Sequence, residues 1–145
     1  PIYLWRDELK SRFDFSNAQI HDVERSLVLR AAWRHMPEAA DWFTQVSASV
    51  FNKEAREWRV RTALRAENWQ AALKYIKGLP KNERQSEEWL YWRARSLEAM
   101  NQSTAAKLIY GKLADHTSYY GFQAAEKLGR EYIFTNEPVI DEAAA

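Results

Sequence analysis

The stretch Trp89-Leu-Tyr-Trp-Arg-Ala-Arg-Ser-Leu-Glu-Ala-Met100 decides the fold of this chain. Glu87 and Glu88 precede it, where negative charge suits a helix N-terminus. Its apolar and small side chains recur at the three- and four-residue spacing of one helix face. That face consists of Trp89, Trp92, Ser96, Leu97 and Met100, widened by Leu90 and Ala94. So much aromatic bulk on one helix requires neighbouring helices packed on both sides.

The composition is that of a helical chain with balanced charge. A length of 145 residues corresponds to about one domain. With 21 basic and 20 acidic residues the formal net charge is +1, so no global field attracts nucleic acid or anionic lipid. No run of 18 apolar residues occurs, so no membrane-spanning helix is expected. The absence of cysteine excludes disulfides and thiolate metal sites, and we expect no cofactor.

Capping and stop signals predict about seven helices. Ser16 and Gln19 have the spacing of a capping box, which opens a helix through about Arg34. Pro37 suits the first position of the next helix, to about Ser47. Five further helices are expected over residues 52–66, 69–77, 89–101, 103–115 and 118–128. Asn68 and Gly129 are expected to adopt the left-handed conformation that ends a helix.

The remaining segments are predicted with less regular structure. Residues 1–15 allow a short helix, and residues 81–85 are expected to form a charged loop. In the helix over 103–115, the inward-facing residues are expected to be Ala105, Leu108, Ile109 and Leu113. We therefore expect one domain over residues 1–129 and an extended or disordered tail over residues 130–145.

An internal repeat indicates how the helices are arranged. Shifting residues 58–77 by 33 positions aligns Leu64 with Leu97 and Ala72 with Ala105, and a shift of 32 relates the preceding helices to the same unit. Each unit consists of a long helix, a tight turn and a second helix that opens with alanine. A period near 33 is typical of tetratricopeptide-like repeats. The predicted fold is therefore all-α, an α-superhelix of stacked antiparallel helical hairpins.

Three blocks of sequence stand out over about residues 57–132. The first is Glu-Trp-Arg-Val-Arg-Thr-Ala-Leu-Arg over residues 57–65, followed by Trp69 and by Leu79-Pro80. The second is Glu-Trp-Leu-Tyr-Trp-Arg-Ala-Arg-Ser-Leu-Glu-Ala over residues 88–99. The third is Ser-Tyr-Tyr-Gly-Phe-Gln-Ala-Ala-Glu-Lys-Leu-Gly over residues 118–129. In order and spacing these three blocks resemble the helical region of soluble lytic murein transglycosylases. Residues 1–50 carry no diagnostic motif.

The resemblance implies a periplasmic enzyme of Gram-negative bacteria that remodels peptidoglycan. The family cleaves the β-1,4 bond between N-acetylmuramic acid and N-acetylglucosamine without water and leaves a 1,6-anhydro end. Its catalytic glutamate lies in a Glu-Ser motif of a lysozyme-like domain. No glutamate of this chain is followed by serine, so no catalytic residue is transferred to it. We expect a scaffold fragment, excised or processed since it starts at Pro1, that is inactive alone.

Aromatic and basic side chains are the candidate contacts for glycan or for a partner. Aromatic faces stack on sugar rings, although most of the seven tryptophans fall on apolar helix faces and are expected to pack in the core. Adjacent Tyr119 and Tyr120 cannot both point inward, and Gly121 would allow another surface to approach. Guanidinium groups bind carboxylates, but they also form salt bridges on solvated helix faces. The candidate binding residues are Arg61, Trp89, Arg93, Arg95, Tyr119 and Tyr120.

Other chemistry receives little support from the sequence. His21, His35 and His116 are far apart, with no metal-type pair at i, i+4. Glu57 and Glu88 lie beside tryptophans, as a glycosidase acid could, but a solvated glutamate is routine in the first half of a helix. No phosphate loop or nucleophile elbow occurs.

Two functions remain open. The first is a transglycosylase scaffold whose partners are glycan strands or the catalytic domain of the same protein. The second is a stand-alone tetratricopeptide-like module that binds a protein in its groove. In either case exposed ends of the hairpin stack are expected to favour self-association.

Overall fold

The computed structural model describes residues 2–134, with side chains from Leu4 onward. These residues form α-helices, one 3₁₀ helix and connecting turns, and no β-strand occurs among them. Consecutive long helices joined by short turns pack against each other as antiparallel hairpins. The predicted all-α fold of stacked helical hairpins is therefore confirmed.

Two compact units divide the chain, Pro1–Leu79 and Pro80–Ala145. The boundary falls between Leu79 and Pro80, in the Gly78-Leu79-Pro80 sequence, where proline cannot continue the preceding helix. The predicted single domain over residues 1–129 stays a prediction.

The first unit contains five α-helices and the 3₁₀ helix. These are α1 (Ile2–Arg12), α2 (Asn17–Trp33), α3 (Ala39–Gln45), the 3₁₀ helix (Ala48–Val50), α4 (Lys53–Arg65) and α5 (Trp69–Lys77). Helix α1 is joined to α2 by the 3.8 Å ion pair of Arg6 with the buried Glu24. The core lies between α2, α3 and α4, where Phe43 meets Phe51 edge-on at 5.5 Å between ring centroids.

The second unit contains four helices in its described residues. These are α6 (Lys81–Arg84), α7 (Glu87–Ala99), α8 (Ser103–Leu113) and α9 (Tyr119–Leu128). Trp89, Tyr110 and Leu113 are its largest fully buried side chains. The buried Tyr110 hydroxyl donates to Glu98 Oε2 at 3.1 Å, which ties α8 to α7, and Lys127 of α9 pairs with the same carboxylate oxygen at 3.3 Å.

The predicted capping residues occupy their expected places. Ser16 and Gln19 form the reciprocal capping box of α2, and Asn52 caps α4 by accepting from the Ala55 amide at 2.9 Å. Gly129 has a φ of 64°, so the predicted left-handed end of α9 is confirmed. Local hydrogen bonding explains this success, because caps depend on residues only three or four positions apart.

Four helices end in the same way, with a left-handed residue followed by a hydrogen bond back to the last turn. The left-handed residues are His35, Glu67, Asn101 and Gly129, each with a φ between 52° and 64°. At the second of these ends the prediction was wrong, because Glu67 is left-handed rather than Asn68. Asn68 instead donates its amide to Ala63 O at 3.0 Å and caps α5 through its side chain. The first three turn residues lie 32 and 34 positions apart.

Several predicted boundaries and faces differ from the structure. Helix α3 begins at Ala39 rather than Pro37, and residues 81–84 form the short helix α6 rather than a loop. In α8 the buried positions are Ala106, Tyr110 and Leu113, so Leu108 points outward and is 68% exposed. The prediction was right for Leu113, whereas Ala105 and Ile109 are only half-buried, because the large ring of Tyr110 fills the core.

Residues 130–134 continue from α9 without helical structure. Thr117 Oγ1 donates to Ile133 O at 2.9 Å, and the ring of Phe122 lies 5.2 Å from Tyr132 and 5.5 Å from Phe134. This part of the predicted tail therefore packs on its own unit. The rest of the predicted tail, residues 135–145, lies outside the described residues.

Candidate glycan- and partner-binding residues

The six candidate residues lie in both units of the chain. Arg61 belongs to α4 of the first unit, whereas Trp89, Arg93 and Arg95 lie on α7 and Tyr119 and Tyr120 on α9 of the second. The candidates therefore form two sets, one in each unit.

Arg61 lies beside an aromatic cavity of the first unit. Its guanidinium carbon is 5.6 Å from the centroid of the Trp58 ring, and Nη1 donates to Glu57 Oε2 at 3.4 Å. The cavity has a volume of about 200 Å³, and Arg65 and His35 also line it. The contact with Glu57 is an i, i+4 salt bridge of the kind expected on a solvated helix face, and the Arg61 head still borders a pocket with a basic, aromatic wall.

Tyr119 and Tyr120 occupy the first turn of α9, where Ser118 caps the helix by accepting from the Gly121 amide at 3.0 Å. Tyr119 is 69% exposed. Tyr120 is half-buried, with its ring 5.1 Å from that of Tyr119 and 5.5 Å from the buried Tyr91. The outward ring is thus Tyr119, supported from behind by two further tyrosines.

Gly121 serves the chain itself rather than an approaching partner. A β-carbon built at this position would lie 2.0 Å from His116 O and 2.9 Å from Leu113 O. The close approach is therefore that of α9 to the end of α8. The expectation that Gly121 leaves room for another surface is corrected accordingly.

Trp89 is only 2% exposed, so its ring belongs to the core of the second unit and offers no face to a sugar. Arg93 and Arg95 are half-buried, and the Nε atom of Arg93 is buried without a hydrogen-bond partner among the described residues. Arg95 pairs with Glu98 at 3.5 Å. Of the three candidates on α7, the arginines rather than the tryptophan reach the surface.

A cluster that the sequence did not predict joins α7 to the turn between α8 and α9. The Glu87 carboxylate contacts His116 Nδ1 at 2.7 Å and accepts from Ser118 Oγ at 2.5 Å. The hydrogen bonds from Ser118 and His116, with the charge of His116, hold the pKa of Glu87 below its usual range against the opposing effect of burial. Since the Ser118 hydroxyl donates to the carboxylate and not to the imidazole, the cluster is a structural clamp rather than a nucleophile and base.

The described part of the chain contains neither a metal-binding group nor a membrane-spanning helix. No group of three or more histidine, aspartate or glutamate side chains is placed to hold a metal ion within residues 4–134. None of the helices described is long and apolar enough to cross a membrane.

Comparison with known proteins identifies relatives over most of the chain, although no family model matches it. The soluble lytic murein transglycosylase of Escherichia coli K12 is 29% identical over 106 residues, which cover 70% of this chain and 16% of that protein. The enzyme of the same name from Salmonella typhimurium is 30% identical over 135 residues, covering 88% of this chain and 20% of that protein. The chain thus spans about a fifth of the length of these relatives.

Solved structures agree with this comparison. An inactive mutant of lytic transglycosylase Slt from Pseudomonas aeruginosa matches with a TM-score of 0.77 and 33% identity, over 87% of this chain and 21% of that one. The 70-kDa soluble lytic transglycosylase in complex with bulgecin A matches with a TM-score of 0.70 and 24% identity, over 97% of this chain and 24% of that one, and supports the fold. The resemblance to soluble lytic murein transglycosylases predicted from the sequence is confirmed.

Proposed function

We propose that the chain is the non-catalytic helical scaffold of a lytic transglycosylase that acts on peptidoglycan. Its role is to position glycan strands, or the catalytic domain, in the periplasm. The observation that carries this proposal is the joint sequence and fold similarity to lytic transglycosylase Slt over most of the chain. On this proposal the cleavage of the N-acetylmuramic acid–N-acetylglucosamine bond is performed by a glutamate of a separate lysozyme-like domain.

The surface chemistry suits contact with glycan strands. Tyr119 presents an exposed aromatic ring, which can stack on the apolar face of a sugar. The guanidinium groups of Arg61 and Arg93 are suited to the carboxylates of the stem peptides. These residues are the ones we propose to contact peptidoglycan, whereas Trp89 lies in the core of the second unit.

Co-sedimentation with insoluble peptidoglycan tests the proposal. We expect the 145-residue chain to pellet with purified sacculi, and Arg61→Ala, Arg93→Ala and Tyr119→Ala each to weaken retention by about three- to tenfold, the effect of one lost aromatic or charged contact. Arg34→Ala and Leu108→Ala are matched controls, because Arg34 is an exposed arginine outside the candidate sets and Leu108 is as exposed as Tyr119.

These variants distinguish direct binding of glycan from a role in which the chain does not contact glycan. Retention that none of the three substitutions alters would contradict the glycan surface. A wild-type chain that stays in the supernatant would leave positioning of the catalytic domain, or the alternative of a tetratricopeptide-like module that binds a protein. The hairpin stack favours that alternative on architecture alone. A gene that encodes no lysozyme-like domain with a Glu-Ser motif would favour it over the scaffold.

A further inference from the structure

We propose that the α4–α5 hairpin carries a pocket for a carboxylate attached to a small aliphatic group, such as the C-terminal end of a short peptide. The pocket lies within the first unit, away from the cavity beside Arg61, and the proposal does not depend on the transglycosylase assignment.

The pocket combines positive charge with apolar walls. It has a volume of about 190 Å³, and its charged lining residues are Arg56, Arg59 and Lys74. Among the described residues no aspartate or glutamate lines it, so three cationic side chains border one small space. Their positive charges attract an anion. The remaining lining includes the buried Phe51 and Leu79, which suit an aliphatic group.

Arg59 is held in place by aromatic rings instead of a carboxylate. Its guanidinium carbon lies 3.8 Å from the centroid of the Tyr75 ring and 5.5 Å from that of Phe51. Its Nε atom is buried and has no hydrogen-bond partner in the described part of the chain. Stacking holds the plane of the guanidinium, and its terminal N–H groups are suited to the oxygens of a carboxylate. Asp41 lines a neighbouring cavity of about 130 Å³ that shares Arg59 and Tyr75.

Arg56 and Lys74 complete the pocket from its two sides. Arg56 donates from Nη1 to Phe51 O at 2.8 Å, which holds its positive charge close to the start of α4. Lys74 is exposed on α5, three residues before Lys77, which does not line the pocket. The volume is below the range of about 300–1,000 Å³ usual for drug-sized ligands, so the site fits a few heavy atoms. Inorganic phosphate would satisfy the charges but leave the apolar walls uncovered.

Titration of the ¹⁵N-labelled 145-residue chain, followed by NMR, tests the proposal. N-acetylalanine is expected to shift amide signals around residues 48–59 and 74–79, and its uncharged amide, N-acetylalaninamide, to leave them in place. Comparing the affinity of butyrate with that of N-acetylalanine distinguishes a site for a free aliphatic acid from a site for a peptide end, since only N-acetylalanine carries a peptide group. Phosphate is expected to bind at least about tenfold more weakly than N-acetylalanine, since it lacks the aliphatic contact.

Variants of the lining residues decide the assignment. Lys74→Gln is expected to weaken binding about two- to fivefold, as for a partly exposed charge, while Lys77→Gln on the same helix leaves the affinity unchanged. Arg59→Gln is expected to weaken it about tenfold or more. Equal effects of Lys74→Gln and Lys77→Gln would overturn the proposal, as would equal affinity for N-acetylalaninamide or for phosphate. If Arg59→Gln disturbs the fold, the comparison of Lys74→Gln with Lys77→Gln still tests the proposal.

Discussion

Glu87 illustrates how a single side chain holds the second unit together. Its carboxylate accepts a hydrogen bond from Ser118 and contacts His116, so it ties the N-terminus of α7 to the turn that leads into α9. The contacts favour the charged form and lower the pKa of Glu87 in the folded state. A group whose pKa is lowered on folding stabilises the fold above its unfolded pKa, and this contribution is lost as pH falls through the folded value.

Glu87→Gln is therefore expected to lower the free energy of unfolding by about 1 kcal/mol at pH 7, a modest value because the carboxylate is partly exposed to solvent. The deficit should shrink as pH falls below the ordinary carboxyl range, where wild-type Glu87 also becomes neutral. Urea unfolding followed by circular dichroism at a series of pH values measures this. Glu54→Gln is the control, because Glu54 is likewise a first-turn glutamate and interacts with the dipole of α4. Equal deficits in the two variants would show that the clamp adds nothing to the dipole effect.

The sequence predicted only the local part of this residue's role. Two glutamates before an apolar helical face indicate a helix start, which the structure places at Glu87. The partners of that carboxylate lie 29 and 31 residues further along the chain, beyond the reach of any periodicity rule. The same limit applies to Trp89. The pattern placed it on an apolar face, but only the packed structure shows that its burial is complete enough to exclude a glycan contact.

At the scale of helices, the turn between α8 and α9 depends on Gly121. Any side chain there would meet the carbonyl oxygens of His116 and Leu113. Backbone oxygens cannot rotate away as a flexible side chain can. A substitution must therefore move one helix relative to the other.

Gly121→Ala is expected to destabilise the fold by about 3 kcal/mol, the upper part of the range for overpacking a close contact. Gly111→Ala in α8 is the matched control, because an added β-carbon there meets no described atom within 4 Å. Since alanine favours a helix interior over glycine, this control should raise stability by about 0.5–1 kcal/mol. Thermal unfolding of the two variants gives the comparison, and similar melting temperatures for both would contradict the role assigned to Gly121.

The ends of the helices could be predicted from the sequence more accurately than their buried faces. Caps at Ser16, Asn52 and Ser118 and the stop at Gly129 depend on adjacent residues, and the predicted ends agree with the structure to within one or two positions. The buried face of α8 depends on what it packs against. Leu108 was expected inside because leucine is apolar, yet the buried stripe follows Ala106, Tyr110 and Leu113. Its phase follows from the contacts of Tyr110 with Tyr91 and Glu98, which belong to α7.

For the molecule as a whole, the class of fold could be predicted because it repeats. Similar units of helix, tight turn and helix recur along the chain, and the left-handed turn residues of the structure recur with nearly the same spacing. The pockets could not be predicted in this way. The pocket around Arg59 needs residues from the 3₁₀ helix, α4 and α5 together, and their spacing follows no repeat.

The first unit also exposes apolar side chains that predict its behaviour in solution. Leu4 and Trp5 of α1 are 56% and 60% exposed, and Phe13 and Phe15, which follow α1, pair their rings at 5.5 Å. Exposed apolar side chains such as these favour association between molecules. Light scattering at high concentration is expected to give a mean mass above the 17.1 kDa of the monomer, and Trp5→Gln combined with Phe13→Gln to return it to that value. Leu108→Gln removes an equally exposed side chain from the second unit, so it should leave association unchanged if α1 is responsible. The assignment of self-association to the apolar side chains in and after α1 would be contradicted by a monomer mass for the wild-type chain. An equal decrease in mean mass for the Leu108 variant would also contradict it.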